Sequence, residues 1–178
     1  MNHQLRHSAL GLALLFAACA PLAQAACNGA DIVADTPDSR FIVVADTVND
    51  KATGLIWKRC AEGLSGATCA TGAPVVGSWA EALSRVATVN AAPATLGAGS
   101  SDWRLPNRNE LVTLVERKCT NPAVNATMFP NTPAQSFWTA SPYALNAALS
   151  WFVDFNAGDV GPAFRSGAKN IRLVRGGN

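Results

Sequence analysis

The residues that say most about the fold are Asp102-Trp103-Arg104-Leu105-Pro106-Asn107-Arg108-Asn109-Glu110-Leu111. Pro106 fixes its own φ angle and disfavours helical geometry at Leu105, so the residues before it should be extended. A helix can begin directly afterwards, because Asn107 is a favourable N-cap and Glu110 stands where a carboxylate completes a capping box. The stretch therefore predicts a rigid loop-to-helix junction, whose structural motif is Asp102, Trp103, Arg104, Pro106, Asn107 and Glu110.

The helix that follows this junction should carry one apolar stripe. Leu111, Leu114 and Val115 have the spacing of a single helix face. We expect the helix to end near Lys118, where cationic side chains suit the negative end of the helix dipole.

A second helix is predicted further upstream. Ser78 can form a capping box with Glu81. Trp79, Leu83 and Val86 then supply the apolar positions of a helix that begins there.

Short strands and loops are predicted for the rest of the chain. A hairpin is expected from the apolar runs 41–45 and 55–57, with turn residues at 48–54. Small residues predict loops at 60–77 and 91–101, and further strands are expected at 137–139, 151–155 and 171–175, with a turn at 156–159. Two helices among many short strands favour an α+β fold over a doubly wound sheet.

The N-terminus has the pattern of an export signal. Arg6 supplies a short positive region, residues 10–20 are apolar, and Ala23-Gln24-Ala25 has the small residues of a cleavage site. A lipoprotein signal at Cys19 is the alternative, although the residues before it match that pattern poorly.

We expect residues 1–25 to be a signal peptide and residues 26–178 to form a single domain. No other apolar run approaches the ~20 residues that a membrane-spanning helix needs. The sequence therefore predicts an exported protein, periplasmic or extracellular, without a membrane span.

Charge and histidine content exclude several function classes. The formal net charge is only +2, and no basic stripe indicates a nucleic-acid partner. Both histidines, His3 and His7, lie in the predicted signal. The mature chain would then lack Ser-His-Asp and Cys-His machinery and the commonest metal ligand. We expect no metal, no cofactor and no enzymatic activity.

Four cysteines remain after the predicted signal, an even number in an oxidising compartment. Three pairings are formally possible. We favour Cys60 with Cys69, which closes a short Gly-containing loop, and Cys27 with Cys119, which ties the N-terminal arm to the end of the central helix. A zinc site or a reactive thiol pair is the alternative, but it would have neither histidine ligands nor CxxC spacing.

The sequence resembles the Lcl C-terminal domain family, named for the terminal domain of a bacterial collagen-like adhesin and long classed as of unknown function. The matching segments occur in order along nearly the whole mature chain. They are 50–57, 59–60, 79–83, 102–111, 129–132, 137–142, 151–155 and 172–177.

The Arg104-Leu105-Pro106 entry and the terminal Arg172-Leu173-Val174-Arg175 strand are also similar to the C-type-lectin-like and formylglycine-generating-enzyme superfamily. This resemblance implies a C-type-lectin-like fold: a twisted antiparallel sheet, two helices and long loops that carry any binding surface, stapled by disulfides. The copper-binding cysteine pair of the enzyme branch has no unpaired counterpart here, and the Glu-Pro-Asn and Gln-Pro-Asp motifs of calcium-dependent lectins are missing.

Five tryptophans suggest a sugar-stacking surface. Trp57, Trp79 and Trp103 lie within apolar patterns and are expected in the core. Trp138 and Trp151 lie among polar residues, so one of them is the better candidate for exposure. The groove residues predicted on this basis are Trp138, Ser141, Tyr143, Trp151, Asp154, Asn156 and Arg165.

Arginines could add recognition of sulfate or carboxylate groups, because guanidinium forks match such anions. The candidates are Arg104, Arg108, Arg165, Arg172 and Arg175. The alternative is that Arg104 and Arg172 pair with Asp102, Glu110 or Asp154 inside the fold. Arg108 and Arg165 are expected to face solvent.

The leading hypothesis is a secreted, non-catalytic module that binds a polysaccharide or an acidic glycan at the cell envelope or surface. A structural domain that binds an envelope protein or its own copies is the first alternative. The second is an enzyme on the formylglycine-type scaffold, or a paired-carboxylate hydrolase using Asp102, Glu110, Asp154 or Asp159. The ligand, the oligomeric state and any role of calcium stay open at this point.

Overall fold

The computed structural model describes residues 25–29, 32–92 and 100–176. The predicted signal peptide lies outside the described residues except for Ala25. Within the described part of the chain, no helix is both long and apolar enough to cross a bilayer.

The described residues form two α-helices, a short 3-10 helix at Asp38–Arg40 and thirteen short strands. The helices are α1 (Trp79–Ala91) and α2 (Arg108–Val112). The strands are β1 (Ala26–Cys27), β2 (Phe41–Val44), β3 (Thr47–Asp50), β4 (Ile56–Lys58), β5 (Leu64–Ser65), β6 (Thr71–Gly72), β7 (Val76–Gly77), β8 (Cys119–Thr120), β9 (Ser136–Pro142), β10 (Leu149–Asp154), β11 (Asp159–Phe164), β12 (Lys169–Asn170) and β13 (Val174–Arg175).

Two sheets form the body of the fold. The larger has five strands in the order β11-β10-β9-β12-β7, and all its pairings are antiparallel except that of β12 with β9. The smaller has four antiparallel strands in the order β13-β4-β3-β2. Mostly antiparallel sheets with two helices confirm the predicted α+β class.

The C-terminal segment, residues 171–174, separates two apolar cores because its side chains alternate in direction. Ile171 and Leu173 are buried in the α1 core, which also contains Ala82, Val89, Trp103, Leu105 and Trp138. Val174 is buried on the other side in the phenylalanine core, which also contains Phe41, Phe129, Phe137, Phe155, Trp57, Leu111, Leu114 and Val115.

Arg172 is the one charged residue of this segment, and it is buried beside the phenylalanine core with 1% of its surface exposed. Its guanidinium lies 5.0 Å from the ring centroid of Phe129. It donates hydrogen bonds to the carbonyl oxygens of Lys58 (3.0 Å) and Arg59 (2.6 Å) and to Oγ1 of Thr132 (2.7 Å). The prediction that Arg172 pairs with a carboxylate of Asp102, Glu110 or Asp154 was wrong, because these backbone and hydroxyl oxygens are its partners.

A buried carboxylate balances part of this charge. Burial lowers the pKa of Arg172 to about 9, and the negative charge of Glu62 opposes that shift, so the guanidinium is charged at neutral pH. Glu62 is itself 1% exposed, with Nζ of Lys58 at 2.8 Å and Nε of Arg85 at 2.9 Å from its carboxylate oxygens. Since Arg85 lies on α1, this network links the helix to β4 and to the C-terminal segment.

The 102–111 stretch forms the predicted loop-to-helix junction. Its capping box is present: the side chain of Asn107 accepts from the Glu110 amide, and the Glu110 carboxylate accepts from the Asn107 amide. Arg104 exchanges two backbone hydrogen bonds with Val174, and the amide of Ala140 donates to the Pro106 carbonyl at 2.7 Å. The junction is therefore fastened to both the C-terminal segment and β9.

The helix after the junction is shorter than predicted, because α2 ends at Val112 rather than near Lys118. Leu111, Leu114 and Val115 are buried as expected, but Val115 forms a β-bridge with Val124. Tertiary pairing has replaced the last two helical turns that the apolar spacing predicted.

The upstream helix begins as predicted, with a capping box between Ser78 and Glu81. Its buried face is carried by Ala82 and Val89, whereas Leu83 is 41% exposed. The apolar Leu83 therefore points away from the core, and the adjacent small residue Ala82 faces it.

The strand boundaries also differ from the predicted ones. Thr47–Asp50 is a strand paired with Phe41–Val44, so the hairpin turn lies at Ala45 and Asp46 instead of at 48–54. Asp159–Phe164 is a strand that was not predicted, because Gly161 and Pro162 interrupt its β pattern. Proline is tolerated there since β11 lies at the edge of its sheet.

Both predicted disulfides are present. Cys27 is bonded to Cys119 and Cys60 to Cys69. Cys119 lies on β8, which pairs with β1, rather than at a helix end.

The N-terminal arm is also held by Glu116. Its carboxylate accepts hydrogen bonds from the amide and hydroxyl of Thr36, both at 2.8 Å. Burial raises the pKa of Glu116, but these and other backbone hydrogen bonds outweigh it and hold the pKa below its usual value.

We predict that Arg172→Met lowers the free energy of unfolding by about 3 kcal/mol, because it leaves the buried carbonyl oxygens of Lys58 and Arg59 and the Thr132 hydroxyl without their donor. Urea unfolding followed by circular dichroism measures this change. Arg117→Met is the control, since the Arg117 side chain is 68% exposed and the loss should be close to zero. Equal stability of Arg172→Met and the parent protein would contradict the role of Arg172.

Candidate functional site

Four of the predicted site residues come together at one end of the five-stranded sheet: Arg108, Ser141, Tyr143 and Trp151. We call them the Arg108–Trp151 surface. The Arg108 guanidinium lies over the Trp151 ring at 4.7 Å from its centroid, and the Tyr143 ring meets Trp151 edge-on at 5.3 Å. The backbone amide of Arg108 donates to Oγ of Ser141 at 2.9 Å.

The loop-to-helix junction explains why these residues meet. Arg108 is the first residue of α2, directly after the Asn107 cap. Because the Pro106 carbonyl is hydrogen-bonded to Ala140, the start of the helix is fixed against β9 and beside β10. The side chain of Arg108 is thereby placed over Trp151.

Apolar side chains of β11 extend this surface. In the antiparallel register Pro162 stands opposite Trp151, and Phe164 stands opposite Leu149. Directly paired residues share a face of the sheet, so Pro162 and Phe164 lie on the same face as Trp151. Phe164 is 64% exposed, which gives the surface a large apolar margin that the sequence analysis missed.

Arg108 is the cation of the surface, and no carboxylate in the described ranges forms an ion pair with it. Its Nε and one terminal nitrogen donate to Oδ1 of the neighbouring Asn109, at 3.2 and 3.1 Å. The contact with the Trp151 ring and these bonds position the guanidinium. None of the described residues accepts a hydrogen bond from its remaining terminal nitrogen, Nη1.

Glu110, the acidic residue nearest to Arg108 in the sequence, already forms an ion pair with Arg104. Its carboxylate receives two hydrogen bonds from Arg104, at 2.8 and 2.7 Å, which confirms the predicted internal pairing of Arg104. Burial raises the pKa of Glu110, but the hydrogen bonds from Arg104 and Asn107 outweigh it and hold the pKa below its usual value. Glu110 therefore stays charged near neutral pH and neutralises Arg104 rather than Arg108.

Trp138 is not part of the surface, so its prediction as an exposed stacking residue was wrong. It is completely buried in the α1 core, where its indole nitrogen donates to the Gly77 carbonyl at 2.9 Å. The prediction relied on the polar residues next to Trp138 in the sequence. Those residues do not indicate exposure here, because both faces of β9 are covered in this fold. Trp57 and Trp103 are core residues as predicted, whereas Trp79 is only half-buried.

Arg165 lies on the opposite face of the same sheet. Its guanidinium lies 4.2 Å from the ring centroid of Trp79, and its Nε donates to Oγ of Ser150 at 2.8 Å. Arg165 and Arg108 are both half-buried against tryptophan rings, so neither extends freely into solvent. The structure does not bring Arg165 together with Arg108.

The other predicted residues lie elsewhere. Asp154 and Asn156 are at the far end of β10, where Asp154 stands opposite Asp159. Arg175 lies over the Trp103 ring at 5.5 Å and has Asp102 at 3.8 Å. With Arg172 buried and Arg104 paired, the predicted five-arginine face reduces to Arg108 alone on this surface.

The described residues include no group of three or more His, Cys, Asp or Glu side chains that could hold a metal ion. All four cysteines of that part of the chain are in disulfides. Of the four carboxylates considered for acid–base chemistry, only Asp154 and Asp159 are directly paired in register. Asp102 accepts from the hydroxyl of Ser100, and that bond holds its pKa below its usual value.

The model of the Lcl C-terminal domain matches residues 46–175 of the chain. The chain belongs to this family. The matched residues include the loop-to-helix junction and every residue of the Arg108–Trp151 surface, and the match indicates a surface domain of the adhesin type. No curated protein matches the chain.

We predict that Trp151→Phe removes most of the tryptophan fluorescence that iodide can quench near this surface, because Trp151 is half-buried beside a cation. Trp138→Phe is the matched control, and it should leave the quenchable fraction unchanged since Trp138 is 0% exposed. Stern–Volmer titration of the folded variants measures both. A loss of quenching in Trp138→Phe equal to that in Trp151→Phe would contradict the described geometry.

Proposed function

We propose that this Lcl C-terminal domain is an exported, non-catalytic module whose Arg108–Trp151 surface binds an acidic glycan at the cell envelope or surface. The observation that carries this proposal is the Arg108 guanidinium, which has no ion-pair partner among the described residues and lies over the Trp151 ring at 4.7 Å from its centroid. A planar guanidinium with an available N–H edge suits carboxylate and sulfate oxygens.

The role of Trp151 in this proposal is to support the arginine rather than to stack on a sugar ring. Arg108 already covers the indole at 4.7 Å. Tyr143 and the exposed Phe164 supply the neighbouring apolar area against which the C–H groups of a pyranose can pack. The hydroxyl of Ser141 and the amide of Asn109 add polar groups at the same margin.

The non-catalytic part of the proposal is supported by the absence of histidine after residue 7. It is further supported by the distance in the fold between the surface and the Asp154–Asp159 pair, which lies at the other end of β10. The relationship to the C-type-lectin-like scaffold and the signal peptide of residues 1–25 stay sequence-based predictions.

A second candidate function is binding of an envelope protein, and it is favoured by Phe164 at 64% exposure on the edge strand β11. An exposed aromatic side chain beside an unpaired strand edge is a common protein-docking feature. Phe164→Ser separates the candidates, because it should weaken a protein complex far more than a contact dominated by Arg108.

We predict that the protein binds carboxylated or sulfated oligosaccharides in preference to neutral ones, and that Arg108→Met weakens this binding about tenfold. Arg108→Lys should recover only part of the affinity, since an ammonium keeps the charge but not the fork. Isothermal titration calorimetry at low and at physiological salt measures the affinities and their screening.

Arg165→Met is the matched control for this experiment, because it removes a guanidinium stacked on tryptophan from the opposite face. It should bind like the parent protein. Equal affinity for neutral and acidic oligosaccharides, or an Arg108→Met variant that binds like the parent, would refute the proposal.

A further inference from the structure

A polar cleft of about 420 Å³ opens at the other end of the five-stranded sheet from the Arg108–Trp151 surface. It lies where β9 begins, β10 ends and β12 crosses beside them. Ser136, Asp154, Asn156, Lys169 and Asn170 contribute its polar lining. The proposed glycan site uses none of these residues.

Lys169 is a cation without an anion in this cleft. Its Nζ lies 4.2 Å from the ring centroid of Phe152 and 5.2 Å from that of Trp138, and the residue is half-buried. Among the described residues it has neither a hydrogen-bond acceptor nor an ion-pair partner. Burial lowers the pKa of Lys169, and the charge of Asp154 opposes that shift. The two rings shield the ammonium from water on one side. A hydrogen bond from the Lys169 ammonium to an acceptor in the cleft would therefore be strongly favoured.

The Asp154 carboxylate lies in the same cleft as the Lys169 ammonium but does not form an ion pair with it. The Asp154 carboxylate accepts hydrogen bonds from the Ser136 hydroxyl (3.0 Å) and the Asn156 amide (2.7 Å), and no described cation forms an ion pair with it. Asp159 stands opposite Asp154 in the strand register but does not line the cleft.

Asn170 supplies an unused acceptor. It is 1% exposed, and its Nδ2 donates to Oε1 of Gln135 at 3.0 Å. No donor within the described part of the chain reaches its Oδ1. A buried amide oxygen without a donor is unfavourable, and a ligand or water with N–H or O–H groups would relieve it.

We propose that this cleft binds a zwitterionic α-amino carboxylate, with the ligand carboxylate at Lys169 and the ligand ammonium at Asp154. The cleft holds one positive and one negative group that do not contact each other within ion-pair distance, so a ligand with both charges satisfies both. An anion alone would leave Asp154 without a counter-charge, and a cation alone would leave Lys169 without one. The cleft volume of about 420 Å³ is large enough to admit a single amino acid.

The test is a ¹H–¹⁵N NMR titration of the protein with glycine, L-alanine and D-alanine, and separately with acetate and methylammonium. The amino acids should shift the amide signals of residues 136, 154, 156, 169 and 170 in a saturable way, and the L and D arms show which enantiomer enters. Acetate and methylammonium should bind at least about tenfold more weakly, since each loses one charged hydrogen-bonding partner.

Lys169→Met and Asp154→Asn should each weaken amino-acid binding about tenfold or more. Lys51→Met, which removes an exposed lysine outside the cleft, is the control and should bind like the parent. The spectrum outside the cleft reports that each variant is folded.

Absence of saturable shifts at tens of millimolar amino acid, acetate binding as tight as glycine, or unchanged binding by both cleft variants would overturn the proposal. The experiments on the two sites test the two proposals independently. Arg108→Met should leave amino-acid binding intact, and Lys169→Met should leave acidic-glycan binding intact.

Discussion

The buried guanidinium of Arg172 is the constraint on which the arrangement of the chain depends. A charge in an apolar core is costly unless its polar groups have partners, and the Lys58 and Arg59 carbonyls and the Thr132 hydroxyl accept from both terminal nitrogens of Arg172. These partners come from β4 and from the loop before β9, so the bonds fix the C-terminal segment against both sheets. Ile171 and Leu173 can then fill one core while Val174 fills the other.

The candidate site follows from this arrangement. The C-terminal segment exchanges backbone hydrogen bonds with Arg104, and the Pro106 carbonyl accepts from Ala140 of β9, so the start of α2 is held between them. The capping box aims Arg108 from that position over Trp151. A surface held by backbone contacts and a cap needs little reordering when a ligand arrives, which favours binding. The proposed amino-acid cleft depends on the same sheet, because Lys169 and Asn170 lie on β12 just before Arg172.

Local chemistry explains which features could be predicted from the sequence. Both capping boxes depend on residues three positions apart, and both are present. The disulfides followed from cysteine count and spacing.

The early end of α2 could not be predicted, since Val115 forms a β-bridge with Val124 in the tertiary fold. The burial of Trp138 could not be predicted either, because it depends on tertiary packing. The polar residues next to it in the sequence suggested exposure, whereas α1 covers its face of the sheet. Lys169 could not be predicted as a site residue, because in the sequence it is only part of the polar pair Lys169-Asn170. Its contacts with Phe152 and Trp138 arise from the fold.

The central functional claim is that ligand binding occurs at Arg108 and Trp151 rather than at the other aromatic positions. The most direct measurement is an NMR titration of ¹⁵N-labelled protein with an acidic oligosaccharide, read at the five tryptophan indole N–H signals. The signal of Trp151 should shift with saturation, while those of the buried Trp57, Trp103 and Trp138 stay in place. A saturated complex in which the Trp151 signal does not move, or in which only that of Trp79 moves, would contradict the account.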